Sequence, residues 1–153
     1  MPPAAPSARA TAAHRIAALA LAAAILAIFL IAWRLDPDPR GLGTHGQLGL
    51  TPCGFLVAFG RPCLTCGMTT AFAFAADGSF LAAARAQPVG LLIALLAAAV
   101  FWGALHVALT GSRLGPWAAR AFNGRVLLLA GLILAAGWTY KILTTPPSPA
   151  LFR

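Results

Sequence analysis

The chain contains no glutamate, and its only carboxylate side chains are Asp36, Asp38 and Asp77. That scarcity excludes a good deal. A two-carboxylate hydrolase, or an oxygen-donor cage for a hard cation, would have to be assembled from these three residues. Asp36 and Asp38 sit in Asp36-Pro37-Asp38-Pro39, directly behind an apolar run. Two prolines there stop a helix and make a solvated turn, so a structural role is the expectation. Gly-x-Ser-x-Gly, a phosphate-binding loop and His-Glu-x-x-His are also missing. Gly67 rather than His follows Cys66, which breaks the haem-attachment pattern. No enzyme activity is expected from this chain alone.

Positive charge is plentiful by comparison. Eleven Lys and Arg residues give a net charge of +8. They are dispersed, mostly at the ends of apolar runs (Arg15, Arg34, Arg85, Arg113, Arg120, Arg125 and Lys141). No contiguous basic patch is interleaved with aromatics, so nucleic acid is excluded as a partner. Cations at those positions are expected to snorkel toward lipid headgroups.

What the chain does have is apolar length. It is 60% hydrophobic, and its mean hydropathy is +0.84. Three runs, 16–33, 88–109 and 126–143, carry the signal. The first two contain no charged residue, and the third contains only Lys141, close to its end. At 1.5 Å of rise per residue each makes about 27–33 Å of helix, roughly the thickness of a bilayer's hydrocarbon core. The predicted fold is therefore all-α and integral to a membrane. Three transmembrane helices are expected, with two short interfacial or re-entrant helices between the first and second. The bilayer is the expected partner, together with another membrane protein or a second copy of the chain.

A coarse division follows. Residues 1–13 read as a mobile tail, 14–143 as a single membrane domain with a Cys-containing loop at 34–87, and 144–153 as an irregular tail. The first run ends in Ala32-Trp33-Arg34-Leu35 rather than a small-x-small cleavage site, so it reads as an uncleaved anchor. Residues 67–76 and 79–85 are the expected short helices, separated by Asp77-Gly78, with Ser79 available as a cap and Pro88 opening the second span. Gly103, Gly131 and Ala135 could allow close helix contact. Trp138, Tyr140 and Lys141 read as an interfacial anchor. Arg9 and Arg15 before the first span, and Arg113, Arg120 and Arg125 between the second and third, fall on one side of a three-span chain. The positive-inside rule makes that side, and the N-terminus, cytoplasmic.

The chemically pointed segment is the loop. All three cysteines fall within Cys53-Gly-Phe-Leu-Val-Ala-Phe-Gly-Arg-Pro-Cys63-Leu-Thr-Cys66-Gly67. Two residues between Cys63 and Cys66 suit either a small disulfide ring or two corners of a tetrahedral metal site. Three readings stay open. Cys53, Cys63 and Cys66 can bind a metal such as zinc, with His45 or water as a fourth ligand. Cys63 and Cys66 can exchange thiol and disulfide, with Cys53 as the resolving partner. Or the cysteines form a structural disulfide or simply pack.

Cys53, Pro62, Cys63, Cys66, Gly67, Thr69 and Gln87-Pro88 resemble the pattern of a bacterial membrane family, domain of unknown function 2752. The likeness runs from residue 50 to about 109. Gly54 and Leu64 stand where that pattern has proline, and Thr70 where arginine is common. The resemblance implies a bacterial cell-membrane location with multiple spans and a shared cysteine motif. It implies no activity.

Overall fold

The computed structural model describes residues 10–112 and 123–145. Among the described residues every regular element is helical. In chain order they are α1 (Ala12–Arg34), a 3-10 turn (Thr44–Leu48), α2 (Gly54–Phe59), α3 (Met68–Ala76), α4 (Phe80–Ala86), α5 (Pro88–Thr110) and α6 (Gly124–Thr144). Three of them, α1, α5 and α6, are long and apolar enough to cross a membrane. The predicted tail at 1–13, the second loop with Arg113 and Arg120, and the tail at 144–153 lie largely outside the described residues.

Local chemistry explains the boundaries. Thr11 caps α1, its side-chain oxygen accepting from the His14 N–H, and the Asp-Pro-Asp-Pro turn follows Leu35. Gly78, at φ +77, turns the chain between α3 and α4. Ser79 occupies the cap position of α4, but its side chain makes no capping hydrogen bond. Gln87 breaks α4 from α5 with an extended φ of −161°, and Pro88 opens α5, where its missing N–H costs nothing. The apolar patch after Cys53, which reads in sequence only as too short to span, forms α2.

Packing relies on small side chains. α1 lies along α5 and α3, and α3 folds back on α4 as a hairpin. Ala71, Ala83 and Ala86 form a buried core, with Phe74, Ala75 and Leu91 against it. Phe29 of α1 stacks on Phe72 of α3 with ring centroids 6.0 Å apart. Close approach occurs at glycines other than the expected ones. A Cβ on Gly103 or Gly131 would meet nothing within 4 Å. One on Gly90 would come within 2.8 Å of the Ala71 Cβ, and one on Gly137 would overlap Val89. Gly90 therefore lets α3 press on α5, and Gly137 lets α6 press on α5.

The two ends of the bundle are distinct. At one end the Arg15 guanidinium donates to the carbonyls of Ala108 and Leu109 at 2.8 and 3.2 Å, tying the start of α1 to the end of α5. At the other end the connector from Leu35 to Gln87 folds over the end of α1, the start of α5 and the end of α6. The cysteines lie there.

Candidate metal centre

The connector is shaped by paired polar contacts. Gln47 bridges the Asp36 backbone, accepting from its N–H at 3.0 Å and donating to its carbonyl at 2.7 Å. Asp38 pairs with Arg40 at 2.7 Å. Hydrogen bonding from Arg40 holds the Asp38 carboxyl below its ordinary value against the opposing effect of burial. Thr44 and Thr70, both buried, share a hydrogen bond of 2.8 Å that joins the 3-10 turn to α3. Arg40 and its turn thus take up the Asp38 carboxylate, whereas Gln47 holds Asp36 by its backbone.

The same folding gathers the cysteines. Cys53 precedes α2, and Cys63 and Cys66 occupy a tight turn in which the Cys66 N–H donates to the Cys63 carbonyl at 3.1 Å. The turn ends at Gly67, whose φ of +87° is left-handed and starts α3. The three Sγ atoms all lie within 4.8 Å of one another, and none is in a disulfide. Cys63 and Cys66 have their sulfurs 3.2 Å apart, and the Cys63 N–H donates to the Cys66 Sγ, also at 3.2 Å. Thr65 Oγ1 is 3.3 Å from the Cys63 Sγ.

These contacts split the acidity of the pair. Burial pushes both thiols up. At Cys63 hydrogen bonds from Thr65, Cys66 and Cys53 outweigh it and bring the thiol down to about 7. At Cys66 burial is greater and the neighbouring sulfurs add to it, so this thiol is pushed well above its ordinary value. One sulfur of the pair is thus an accessible thiolate near neutral pH, and the other keeps the proton.

Three sulfurs at this spacing suit a soft or borderline cation. A zinc ion with thiolates at about 2.3 Å in a tetrahedron holds them about 3.8 Å apart. A shift of well under an ångström at Cys63 and Cys66 meets that. The cluster opens on a cavity of about 850 Å³ lined by all three cysteines, Arg40 and His45, and by apolar side chains such as Ile28, Leu35 and Leu56. His45 shares the cavity but is not in the cluster with the three sulfurs. A bound ion would be held by the three sulfurs, and a further donor such as water could reach it through that cavity.

Gln87, matched in the resemblance, is 1% exposed, and its Nε2 donates to the Leu64 carbonyl at 3.3 Å. It therefore ties the cysteine turn to the break before α5. Its Oε1 is buried with no partner among the described residues.

With this geometry in view the comparison with known families is direct. Residues 53–102 match the model of a protein family of unknown function, DUF2752. The match begins at the first cysteine and ends inside α5, so it takes in the cluster, the α3–α4 hairpin and Gln87-Pro88. No curated protein and no solved structure matches the chain.

Part of the site lies outside the DUF2752 segment and was not legible as site. Trp138, Tyr140 and Lys141 read in sequence as interfacial anchors, and each also donates to the connector, with Lys141 alone buried. Trp138 Nε1 donates to the Pro62 carbonyl at 3.1 Å, and the Tyr140 hydroxyl to the Arg85 carbonyl at 3.2 Å. Lys141, 3% exposed, donates from Nζ to the carbonyls of Gly41 and Ala86 at 2.9 and 2.8 Å. The reason is the break at Gln87-Pro88. It leaves the last carbonyls of α4 without helical partners, and a helix C-terminus attracts positive charge. The usable signal was that Lys141 falls within an apolar run, where an ionisable residue is costly unless it faces protein.

Proposed function

We propose that this protein is a multi-pass membrane protein whose Cys53, Cys63 and Cys66 thiolates bind a thiophilic metal ion, zinc being the first candidate. The observation that carries this reading is the convergence of three unpaired sulfurs, from two segments ten positions apart in sequence, within 4.8 Å. The role is non-catalytic. A metal here cross-links the segment before α2 to the turn before α3 and so orders the connector at one end of the bundle. The membrane is the cytoplasmic membrane of a bacterial cell, with the N-terminus inside and the cysteine end outside. That placement rests on Arg9, Arg15, Arg113, Arg120 and Arg125 and on the resemblance. On the outer side free thiols would oxidise unless protected, and coordination protects them.

The test uses the full chain, purified reduced in lipid nanodiscs and dialysed against zinc. One zinc per chain is expected by elemental analysis, and cobalt substitution should produce a thiolate charge-transfer band. Both should be lost on Cys63→Ser. A chain that retains less than a tenth of an equivalent of zinc after dialysis would overturn the reading.

A second reading, thiol–disulfide exchange, draws on one specific observation. Cys63, with a thiol near 7, stands 3.2 Å from a Cys66 that keeps its proton. That asymmetry is what an attacking and a buried partner thiol need. Reduction of a model disulfide by the metal-free protein, with Cys63 and Cys66 oxidised to a disulfide as the model's two thiols are released, and its loss on Cys63→Ser, would favour it over metal binding.

A further inference from the structure

Lys141 is a buried ammonium without a carboxylate partner among the described residues. The chain has three carboxylate side chains, and none serves it. Asp38 is taken by Arg40, Asp36 is exposed beside Gln47, and Asp77 is exposed at the far end of α3. Among the described residues the ion pair formed is Arg40–Asp38. Two carbonyls satisfy part of the ammonium's hydrogen-bonding capacity, but a carbonyl carries no net charge, and burying an unpaired ion is costly.

The fold has nevertheless made room for it. A Cβ on Gly41 would stand 3.3 Å from the Lys141 Nζ, and one on Gly67 would stand 3.1 Å from it. The Gly67 Cβ would also come within 2.5 Å of the Gly41 carbonyl and 3.1 Å of the Ala86 carbonyl. Both glycines have positive φ. The ammonium therefore packs against the residue that directly follows Cys66, in a pocket cleared by two glycines and roofed by two carbonyls.

Charge arithmetic then gives the pocket a purpose. Three thiolates around a divalent cation carry one net negative charge. Cys53 and Cys63 are half-buried and Cys66 is buried, so water screens that excess only in part and a fixed counter-charge nearby stabilises it. We propose that Lys141 is the built-in counter-ion of the cysteine cluster, allowing a divalent thiophilic cation to be held by three thiolates at once. Without it, the neutral arrangement is two thiolates and one retained thiol. Lys141 is thus a positioning residue for charge and makes no bond to the metal. The proposal rests on the metal-binding reading and adds a residue outside the DUF2752 segment to that site.

The experiment titrates the reduced full-length protein in nanodiscs with cadmium ion. It reads both affinity and the intensity of thiolate-to-cadmium charge-transfer absorption per bound ion. The wild type should give the intensity of three thiolates. Lys141→Met should bind cadmium at least tenfold more weakly, with about two-thirds of the intensity, close to that of Cys53→Ser. Lys141→Arg, which keeps the charge, should restore the intensity. Trp138→Phe loosens the same end of α6 without removing charge and should leave the intensity whole, so a merely structural role for Lys141 is distinguished. A wild type that takes up no cadmium overturns the metal-binding reading and the counter-ion with it. A wild type with three-thiolate intensity that Lys141→Met preserves overturns the counter-ion alone. Equal loss in Lys141→Met and Trp138→Phe also overturns it.

Discussion

The two halves of α6 are held in place by different forces. In the half ending at Thr144, Gly137 lies flush on Val89, and Trp138, Tyr140 and Lys141 donate hydrogen bonds to four backbone carbonyls of the connector. In the half starting at Gly124, Leu127, Leu128, Leu129 and Leu132 present their side chains outward. Apolar burial does little to hold a helix in lipid, because lipid tails are as apolar as leucine. A third span with an Ala- and Leu-rich surface therefore needs polar or close-packed contacts to keep its position, and this one concentrates them at the end that carries the cysteines. The lesson is that α6 is attached through the site, so that disturbing the cluster or its carbonyl roof should release the helix.

The largest effect should follow from closing the pocket between the two regions. Gly67→Ala places a Cβ at φ +87° and within 2.5 Å of the Gly41 carbonyl. Strain and overlap together should cost about 3 kcal/mol. Gly60→Ala shares the positive φ, at +65°, but its Cβ meets nothing within 4 Å. It should cost only the strain, about 1 kcal/mol. Thermal unfolding of the two variants in the same detergent measures the difference. Equal losses would mean that the Lys141 pocket contributes nothing.

Next come the sulfurs. Cys53→Ser, Cys63→Ser and Cys66→Ser should each lower zinc affinity by more than the roughly 10–100-fold typical of outer-shell partners. If zinc cross-links the connector, chelation should also make α6 more accessible to a membrane-restricted cross-linker. Unchanged accessibility would separate the metal from the docking of the helix.

In the metal-free protein the thiols should differ in reactivity. Cys63, near 7, loses its proton as pH rises, so its alkylation should climb between about pH 6 and 8 and then level off. Cys66 stays protonated through that window because burial pushes it far above its ordinary value. Labelling followed by peptide mass spectrometry reads both sites in one sample. Matching pH profiles for the two cysteines would contradict the asymmetry.

Single hydrogen bonds at the docked end come next in size. Trp138→Phe and Tyr140→Phe should each cost about 0.5–1.5 kcal/mol, since each leaves a backbone carbonyl of the connector without its donor. Stabilities from equilibrium unfolding in mixed micelles check this, and a value near zero for both would mean that α6 is held elsewhere.

What could be read in advance and what could not divide along a physical line. The spans were legible because apolar length is a property of consecutive residues, and α1, α5 and α6 stand where the three runs predicted. Pro88 and Asp77-Gly78 marked their boundaries because the chemistry of a break is local. The gathering of Cys53 with Cys63 and Cys66 was legible only as proximity in sequence, since nine residues of connector separate the first from the second. The role of Lys141 was not legible. A lysine near the end of an apolar run reads equally well as snorkelling to headgroups, and only the fold brings Gly41, one hundred residues away in sequence, to receive it. The glycine contacts were misread for the same reason. Gly103 and Gly131 sit in spans as small residues often do, but which face meets a neighbour is decided by the fold, which brings Val89 of α5 to Gly137 and Ala71 of α3 to Gly90.

The smallest effect should come from the outward half of α6. Leu128 is 65% exposed and Leu129 57% exposed, and a side chain that only touches lipid loses little when truncated. Leu128→Ala should change stability by no more than about 0.5 kcal/mol. The comparison with Trp138→Phe is what makes this informative. If both halves of α6 were packed equally, Leu128→Ala would cost as much as a buried leucine, about 2–5 kcal/mol. Such a cost in a dilute detergent sample would mean that the outward half is covered by protein, either another part of this chain or a second copy. A dependence of that cost on protein concentration would identify the second copy, because only an association between chains responds to dilution. A small and concentration-independent change would leave α6 as described: tethered at its cysteine end, with its outward half in lipid.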